Sequence, residues 1–189
     1  MSNATDNFNR PNQSGPGGNW AGDTGYFSIA SDALEITSNP SDQRMIYYNA
    51  AFNANHFSEV TFGTVANVSM NGPAVCVQPG GKCYRWVYYS TEGYLQLISG
   101  NADAATLGTV AGLTANTGDV WHLDISGSTL TCKINGVTKL TETDSTLTGG
   151  YPGIAIIGAV NNGGDTYTLW TGGPLTAYAH AYTDAFFGL

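Results

Sequence analysis

Short runs of alternating apolar and polar residues follow one another along most of the chain, separated by Gly, Asn, Ser and Pro. A period of two places successive side chains on opposite faces, which is typical of a strand buried on one side. No apolar pattern of helical period extends beyond about two turns. The pattern predicts strands near Tyr26–Ile29, Ala33–Thr37, Arg44–Tyr48, Phe57–Val65, Pro73–Val77, Cys83–Ser90, Tyr94–Ser99, Ala105–Val110, Asp119–Ser126, Thr129–Ile134, Val137–Thr143, Gly153–Val160 and Tyr167–Trp170.

One of these strands shows the alternation clearly. Trp121, Leu123 and Ile125 fall on one face, which we expect to enter the core. His122 and Asp124 fall on the other face. We interpret His122 as a plain surface histidine, because no grouping of an acid and a nucleophile surrounds it in the sequence.

The turns between the strands indicate an antiparallel fold. Asn135-Gly136 predicts a two-residue hairpin, because both central positions of a type I′ turn need a positive φ. Many short strands joined by such turns are typical of a sandwich or barrel. A chain of 189 residues has the size of one domain.

The composition agrees with an all-β protein and narrows its partners. Charged residues make up 11% of the chain and aromatic residues 12%. The net charge of −8 argues against a nucleic acid or an anionic membrane as a partner. No run approaches the roughly 18 apolar residues of a membrane span, and no secretion signal is visible, so we expect no membrane insertion.

The two ends differ in composition from the strands. We interpret residues 1–20 as an N-terminal arm, residues 21–173 as the sandwich domain, and residues 174–189 as an aromatic tail that forms an edge strand or an inter-subunit arm. Aromatic side chains left in water favour aggregation, so we expect the tail to be buried against another surface. The candidate contact residues are Phe8, Arg10, Tyr182, Phe186 and Phe187.

The odd number of cysteines leaves at least one of them free or paired between chains. Cys132 shares strand parity with apolar neighbours, which indicates a buried thiol. Cys76 and Cys83 flank a predicted hairpin connection, so a disulfide between them is one alternative and two free thiols the other. Too few ligands lie nearby for a zinc site.

Several segments together resemble the concanavalin A-like lectin/glucanase superfamily, in its laminin-G-like jelly-roll branch. The resemblance spans roughly residues 6–173 and implies two antiparallel sheets packed face to face as a jelly-roll sandwich. Members of this superfamily include lectins, carbohydrate-binding modules, glycosidases, polysaccharide lyases and adhesion or virion modules, so the fold does not choose a function. The segments that carry the likeness are Asp6–Pro11, Gly18–Trp20, Phe27–Ile29, Leu34–Ile36, Gly93–Leu95, Trp121–Val137 and Tyr151–Ile154.

The acidic residues do not form the pattern that glycosidases need. Such enzymes use two carboxyl groups flanking the scissile bond, and the Glu-x-Asp-x-x-Glu pattern of glycosidases with this fold is absent. Glu142 and Asp144 form a close pair, but at a predicted turn. Glu59 lies alone in the middle of a strand. We therefore expect a protein that is not an enzyme.

One strand could bind a sugar. Tyr84, Trp86 and Tyr88 share a strand face at steps of about 6.6 Å, a spacing that suits stacking along an oligosaccharide. The alternative is that these rings fill the core between the sheets. Asn161, Asn162 and Asp165 carry oxygen ligands that suit calcium, although such residues are also common in turns. We expect no other cofactor.

The leading hypothesis is a non-enzymatic module on the surface of a virion, such as a bacteriophage capsid-decoration or appendage protein. It would act through protein–protein contacts in a homo-oligomer or with capsid or tail proteins. The absence of a visible signal peptide, the lack of a catalytic grouping and the unusual ends favour it.

Two alternatives stay open. The first is a lectin-like carbohydrate-binding module, which would act at a particle surface or outside the cell. The second is a glycoside hydrolase or polysaccharide lyase with an atypical site centred on Glu59.

Overall fold

The structure is a computed structural model that describes residues 2–37, 42–50, 52–66, 70–157 and 165–175. It is an all-β sandwich of two antiparallel sheets, as predicted. One 3₁₀ turn, Thr24–Tyr26, lies between the early strands. The strands are β1 (Ala4–Asp6), β2 (Gln13–Ser14), β3 (Trp20–Gly22), β4 (Phe27–Ala30), β5 (Ala33–Ile36), β6 (Arg44–Tyr48), β7 (His56–Thr64), β8 (Met70–Gln78), β9 (Lys82–Tyr89), β10 (Glu92–Ser99), β11 (Ala102–Ala111), β12 (Val120–Ser126), β13 (Thr129–Ile134), β14 (Val137–Thr143), β15 (Tyr151–Ile157) and β16 (Thr166–Pro174).

The strands divide into a nine-stranded and a seven-stranded sheet. The nine-stranded sheet has the order β14-β13-β12-β7-β16-β5-β4-β2, and β1 pairs with β16. The seven-stranded sheet has the order β11-β10-β9-β8-β15-β6-β3. Within the described ranges, no helix is long and apolar enough to cross a membrane.

The predicted strands are confirmed as β4 to β16, although the last residues of the run predicted to end at Val160 lie outside the described ranges. The hairpin between β13 and β14 turns at Asn135 and Gly136, which have φ values of 51° and 77°. The strands β1, β2 and β3 were not predicted, because they are two or three residues long and lie among Asn and Gly.

Indole rings fill the centre of the space between the sheets. Trp86 from β9 stacks on Trp121 from β12, with ring centroids 5.0 Å apart. Trp20 from β3 meets Trp170 from β16 edge to face at 4.8 Å. Each pair joins one sheet to the other, and aromatic pairs add about 0.5–1.5 kcal/mol beyond the area that they bury.

The strand β7 is also tied to the opposite sheet by polar side chains. The Ser58 hydroxyl donates to the Gly153 carbonyl of β15 at 2.6 Å and accepts from the Trp170 indole at 2.9 Å. His56 is fully buried, and its Nε2 accepts the Cys76 amide of β8 at 3.0 Å. Its Nδ1 faces the Asn53 carbonyl at 2.9 Å and therefore carries the proton of a neutral ring. Burial lowers the pKa of His56.

The predicted N-terminal arm is part of the sandwich. The strand β1 pairs with β16, β2 pairs with β4, and Phe8 is fully buried against Trp20. Phe8 therefore does not lie on the surface, where the predicted contact with another subunit would need it. Arg10 is half-buried and paired with Asp6. Tyr182, Phe186 and Phe187 lie outside the described residues.

One carboxylate holds this N-terminal segment in place. Asp6 accepts the Phe8 amide at 2.9 Å, the Trp20 indole at 2.8 Å, and the Arg10 guanidinium at 2.7 and 2.9 Å. Burial of Asp6 opposes its ionisation, but these hydrogen bonds outweigh burial and lower the pKa of the carboxyl. The local hydrogen bonds explain why a sequence so rich in Asn and Gly is ordered here.

The cysteines are free, so the alternative of a disulfide is wrong. The ladder between β8 and β9 is irregular between Val75 and Gln78, and Cys76 has a φ of 54°. This irregularity places Cys76 in the core between the sheets, whereas Cys83 belongs to a separate cluster of buried residues with Met45. Burial raises the pKa of both thiols to about 12. Cys132 is buried, as predicted.

Replacing Asp6 should destabilise the protein. Asp6→Asn removes a buried charge from four donors, so we expect the free energy of unfolding at neutral pH to fall by about 2–3 kcal/mol. The folded-state pKa is lowered, so the contribution of Asp6 is present above about pH 3.9 and is lost as the pH falls through the folded-state pKa. Denaturant titrations of both proteins at neutral and acidic pH measure this. Asp32→Asn, at an exposed turn, is the matched control, and an equal loss in that variant would contradict the assignment.

The thiols should react only after unfolding. Because the thiols are buried and their pKa values are raised, we expect iodoacetamide to leave the native chain unmodified. Under denaturing conditions without a reductant, three carbamidomethyl groups per chain should be found by mass spectrometry. A single modified thiol would indicate the disulfide after all.

Candidate functional site

The predicted sugar platform lies in the core. Tyr84, Trp86 and Tyr88 are buried, and Trp86 and Tyr88 pack against Trp121 of the opposite sheet. The Tyr84 hydroxyl accepts the Leu147 amide at 2.9 Å. None of these rings can stack on a sugar, so this site assignment is wrong, and the alternative that they fill the core is confirmed.

A polar cluster lies instead on the outer face of the nine-stranded sheet, opposite the core. It consists of Glu59 from β7, His122 and Asp124 from β12, and Lys133 from β13. The register places His122 directly between Glu59 and Lys133 on the neighbouring strands. Residues opposite each other in an antiparallel ladder share a face, so the three strands bring these side chains together.

His122 bridges the two acids. Its Nδ1 lies 3.0 Å from Glu59 Oε2, and its Nε2 lies 3.1 Å from Asp124 Oδ2. A carboxylate can only accept hydrogen bonds, so both contacts are satisfied when the imidazole carries two protons. The interpretation of His122 as a plain surface histidine is therefore wrong.

The charges of the cluster compensate one another. Lys133 Nζ donates to Asp124 Oδ2 at 2.9 Å. Burial of His122 disfavours its charged form, but the hydrogen bonds to Asp124 and Glu59 outweigh burial and raise the pKa of His122. Burial likewise opposes ionisation of Asp124, and the hydrogen bonds from His122 and Lys133 nevertheless lower its pKa. Both acids and both bases of the cluster thus have partners of opposite sign.

The cluster borders a cleft of about 480 Å³. Phe57, next to Ser58 on β7, is half-buried, and its ring stacks on the His122 imidazole at 5.2 Å with an interplanar angle of 15°. Gly173 lies opposite Phe57 on β16. The residues that line the cleft are Asn3, Phe57, Glu59, His122, Lys133, Gly136, Thr171, Pro174 and Leu175.

The cleft combines an apolar wall with hydrogen-bonding groups. Phe57, Pro174 and Leu175 supply the apolar surface, and Glu59 and Lys133 reach the same space. Glu59 is 35% exposed, whereas Asp124 is only 9% exposed and supports the cluster from below. Such a cleft can bind a molecule that has both an apolar face and hydroxyl groups.

The predicted calcium ligands are only partly described. Asn161 and Asn162 lie outside the described residues. Asp165 is buried, and its carboxylate accepts the Ala66 amide and the Asn71 side-chain amide, both at 2.6 Å. In the described part of the chain, no group of three or more His, Cys, Asp or Glu side chains is arranged to hold a metal ion. Calcium binding stays a prediction.

Glu59 and His122 are separate features of the sequence pattern, and nothing in that pattern brings them together. The two residues are 63 positions apart, and the pairing of β7 with β12 decides that they meet. The signal that could have found the cluster is the placement of His122 and Asp124 on the polar face of one strand and Glu59 in the middle of another.

Comparison with known proteins identifies the fold. No protein-family model and no curated protein matches the sequence. Among solved structures, the carbohydrate-binding module CBM66 from Bacillus subtilis is similar, with a TM-score of 0.60 and 9% identity over 82% of this chain and 92% of that chain. A Bacillus licheniformis β-glucanase has a TM-score of 0.60 and 14% identity over 92% and 98% of the two chains.

A structure with a bound glycan is also similar. The VIP36 exoplasmic/lumenal domain, in a form bound to Ca²⁺ and Man3GlcNAc, has a TM-score of 0.54 and 13% identity over 83% of this chain and 84% of that chain. At such low identities, the comparisons establish the architecture alone. The chain has the concanavalin A-like jelly-roll fold, as the sequence resemblance implied.

The raised pKa of His122 should appear in the pH dependence of stability. A histidine whose folded-state pKa is raised stabilises the protein fully below about pH 6.5 and loses this contribution as the pH rises through the folded-state pKa. We therefore expect the free energy of unfolding of the wild type to exceed that of His122→Gln by about 1 kcal/mol near pH 5.5 and by less near pH 9. Denaturant titrations across this range, with NMR titration of the His122 ring, measure the effect. A difference independent of pH would contradict the bridge to the two carboxylates.

Proposed function

We propose that this protein binds carbohydrate in the cleft formed by Phe57, Glu59, Lys133 and their neighbours. The observation that carries the proposal is the half-buried Phe57 ring, which His122 supports from one side and which lines a cleft with charged hydrogen-bonding groups. Sugars present an apolar face of C–H groups and a rim of hydroxyls. The cleft offers a counterpart to each.

The individual side chains suit hydroxyl groups. Glu59 uses one oxygen for His122, and its carboxylate has further acceptor sites. Lys133 gives one hydrogen bond to Asp124 and has two more N–H donors. The Asn3 amide and the Thr171 hydroxyl add groups that both donate and accept.

Similar solved structures support this function as an analogy. They include a carbohydrate-binding module, a β-glucanase and a lumenal domain bound to Man3GlcNAc. The carbohydrate-binding alternative from the sequence is thus better supported than the leading hypothesis of a virion-surface structural protein. The virion role and a location at a particle surface or outside the cell stay predictions, as do protein partners.

The geometry favours binding over hydrolysis. Both nitrogens of His122 are already hydrogen-bonded to carboxylates, so the ring has no free nitrogen for proton transfer with a substrate. A glycosidase acid needs a raised pKa, whereas the pKa of Asp124 is lowered. Besides that β-glucanase, a transglycosylase is also among the solved structures that are similar to this chain, so turnover should be measured as well.

Removing the Phe57 ring should abolish retention on glycans. We expect Phe57→Ala to weaken binding to an immobilised glycan by at least about tenfold, because an aromatic anchor in a cleft contributes about 1–2 kcal/mol or more. A glycan array followed by calorimetry on the glycans that bind measures this, with thermal unfolding as the test of folding. Tyr89→Ala is the matched control, because Tyr89 is an aromatic residue that is 46% exposed on the other sheet.

Two outcomes would contradict the proposal. Equal losses of glycan affinity in the Phe57 and Tyr89 variants would show that the cleft is not the binding site. Release of reducing ends from a bound glycan, lost in Glu59→Gln, would assign hydrolysis to it instead. Trp86→Ala is unsuitable as a binding test, because removing a fully buried indole destabilises the core by about 3–5 kcal/mol.

A further inference from the structure

The charged groups at the cleft occur in compensated sets. Among the described residues, the cluster contains two acids, Glu59 and Asp124, and two bases, His122 and Lys133. Every contact between them joins opposite signs at 2.9–3.1 Å. With His122 protonated, the cluster has no formal net charge.

We infer that the cleft selects uncharged sugars over both acidic and amino sugars of the same size and linkage. This inference rests on the proposed function and adds to it the chemical class of the ligand. It follows from the geometry of the ion pairs, because a partner 2.9–3.1 Å away already balances each charge of the cluster, so a charged ligand gains little net attraction to offset its own desolvation.

An acidic sugar would meet opposition from two sources. Its carboxylate or sulfate could accept from the remaining N–H groups of Lys133, but Asp124 at 2.9 Å already balances that ammonium charge, so the anion gains little net attraction there. It would also approach the exposed Glu59 carboxylate and a chain with a net charge of −8. Like charges in contact oppose binding strongly.

An amino sugar would meet the reverse problem. Its ammonium group could donate to the remaining acceptor sites of Glu59, but His122, 3.0 Å away, already balances the charge of that carboxylate, so the net attraction is reduced. It would also face the ammonium group of Lys133, which lines the same cleft. The ammonium group therefore gains little net attraction in this cleft.

An uncharged sugar avoids both conflicts. Its hydroxyls can accept from the free N–H groups of Lys133 and donate to the free acceptor sites of Glu59 without breaking an ion pair. Its apolar face can lie on Phe57 or Leu175. The ion pairs then hold the polar groups in fixed positions, which lowers the entropy lost on binding.

The test uses an array that carries glucose, galactose, mannose and xylose oligosaccharides beside their uronate, sulfated and amino counterparts. We expect the wild-type chain to bind uncharged members at least about tenfold more tightly than their charged counterparts. Lys133→Met leaves the cluster with a net negative charge and should shift relative affinity toward amino sugars. While His122 keeps its proton, Glu59→Gln leaves the cluster with a net positive charge and should shift relative affinity toward uronates.

Two control variants separate the cleft from the charge of the whole chain. Lys139→Met and Glu35→Gln change the net charge by the same amounts, but neither residue lines the cleft. Opposite shifts in the cleft variants with none in the controls would support the inference. Equal shifts in the controls, or wild-type binding of charged glycans as tight as that of uncharged ones, would overturn it and leave the proposed function standing. Binding to no glycan on the array would overturn the proposed function itself.

Discussion

The stacking of Trp86 on Trp121 between the two sheets is the contact on which the rest of the molecule depends. Trp121 is fully buried, so its strand has a fixed inner face, and the neighbouring His122 must lie on the outer one. A slip of one residue in this strand would move every side chain to the opposite face. The same packing that closes the core therefore also sets which residues can reach a ligand.

The strand β7 likewise has one face toward the core and one face toward the cleft. Its inner residues His56 and Ser58 bond to the backbone of the opposite sheet, and its outer residues Phe57 and Glu59 line the cleft. Because polar groups buried without partners are unfavourable, those inner hydrogen bonds restrict how far the strand can shift. The strand that lines the cleft is thus held in position by hydrogen bonds on its inner face.

Much of this fold could be predicted from the sequence, but the site could not. Alternation located the long strands, and Asn135-Gly136 fixed a hairpin, because both signals are local. Alternation also grouped Trp86 with its neighbours on one face, yet it does not say which face meets the other sheet. The contact between Glu59 and His122 depends on pairing across 63 residues, and the position of Cys76 depends on a local irregularity in the ladder.

The two histidines of β7 and β12 together determine the pH at which the folded chain is most stable. His56 accepts a hydrogen bond in the core and resists protonation, so its contribution is complete above about pH 6.5 and is lost as the pH falls through its lowered pKa. His122 behaves in the opposite way, because it is held between two acids and keeps its proton. Both contributions to folding stability are complete only in a narrow pH interval around the usual pKa of histidine, about 6.5. Taken by themselves, these two rings therefore make the folded chain most stable in mildly acidic to neutral solution. The buried His56 lowers stability in acid, and His122 on the outer face lowers it in alkali.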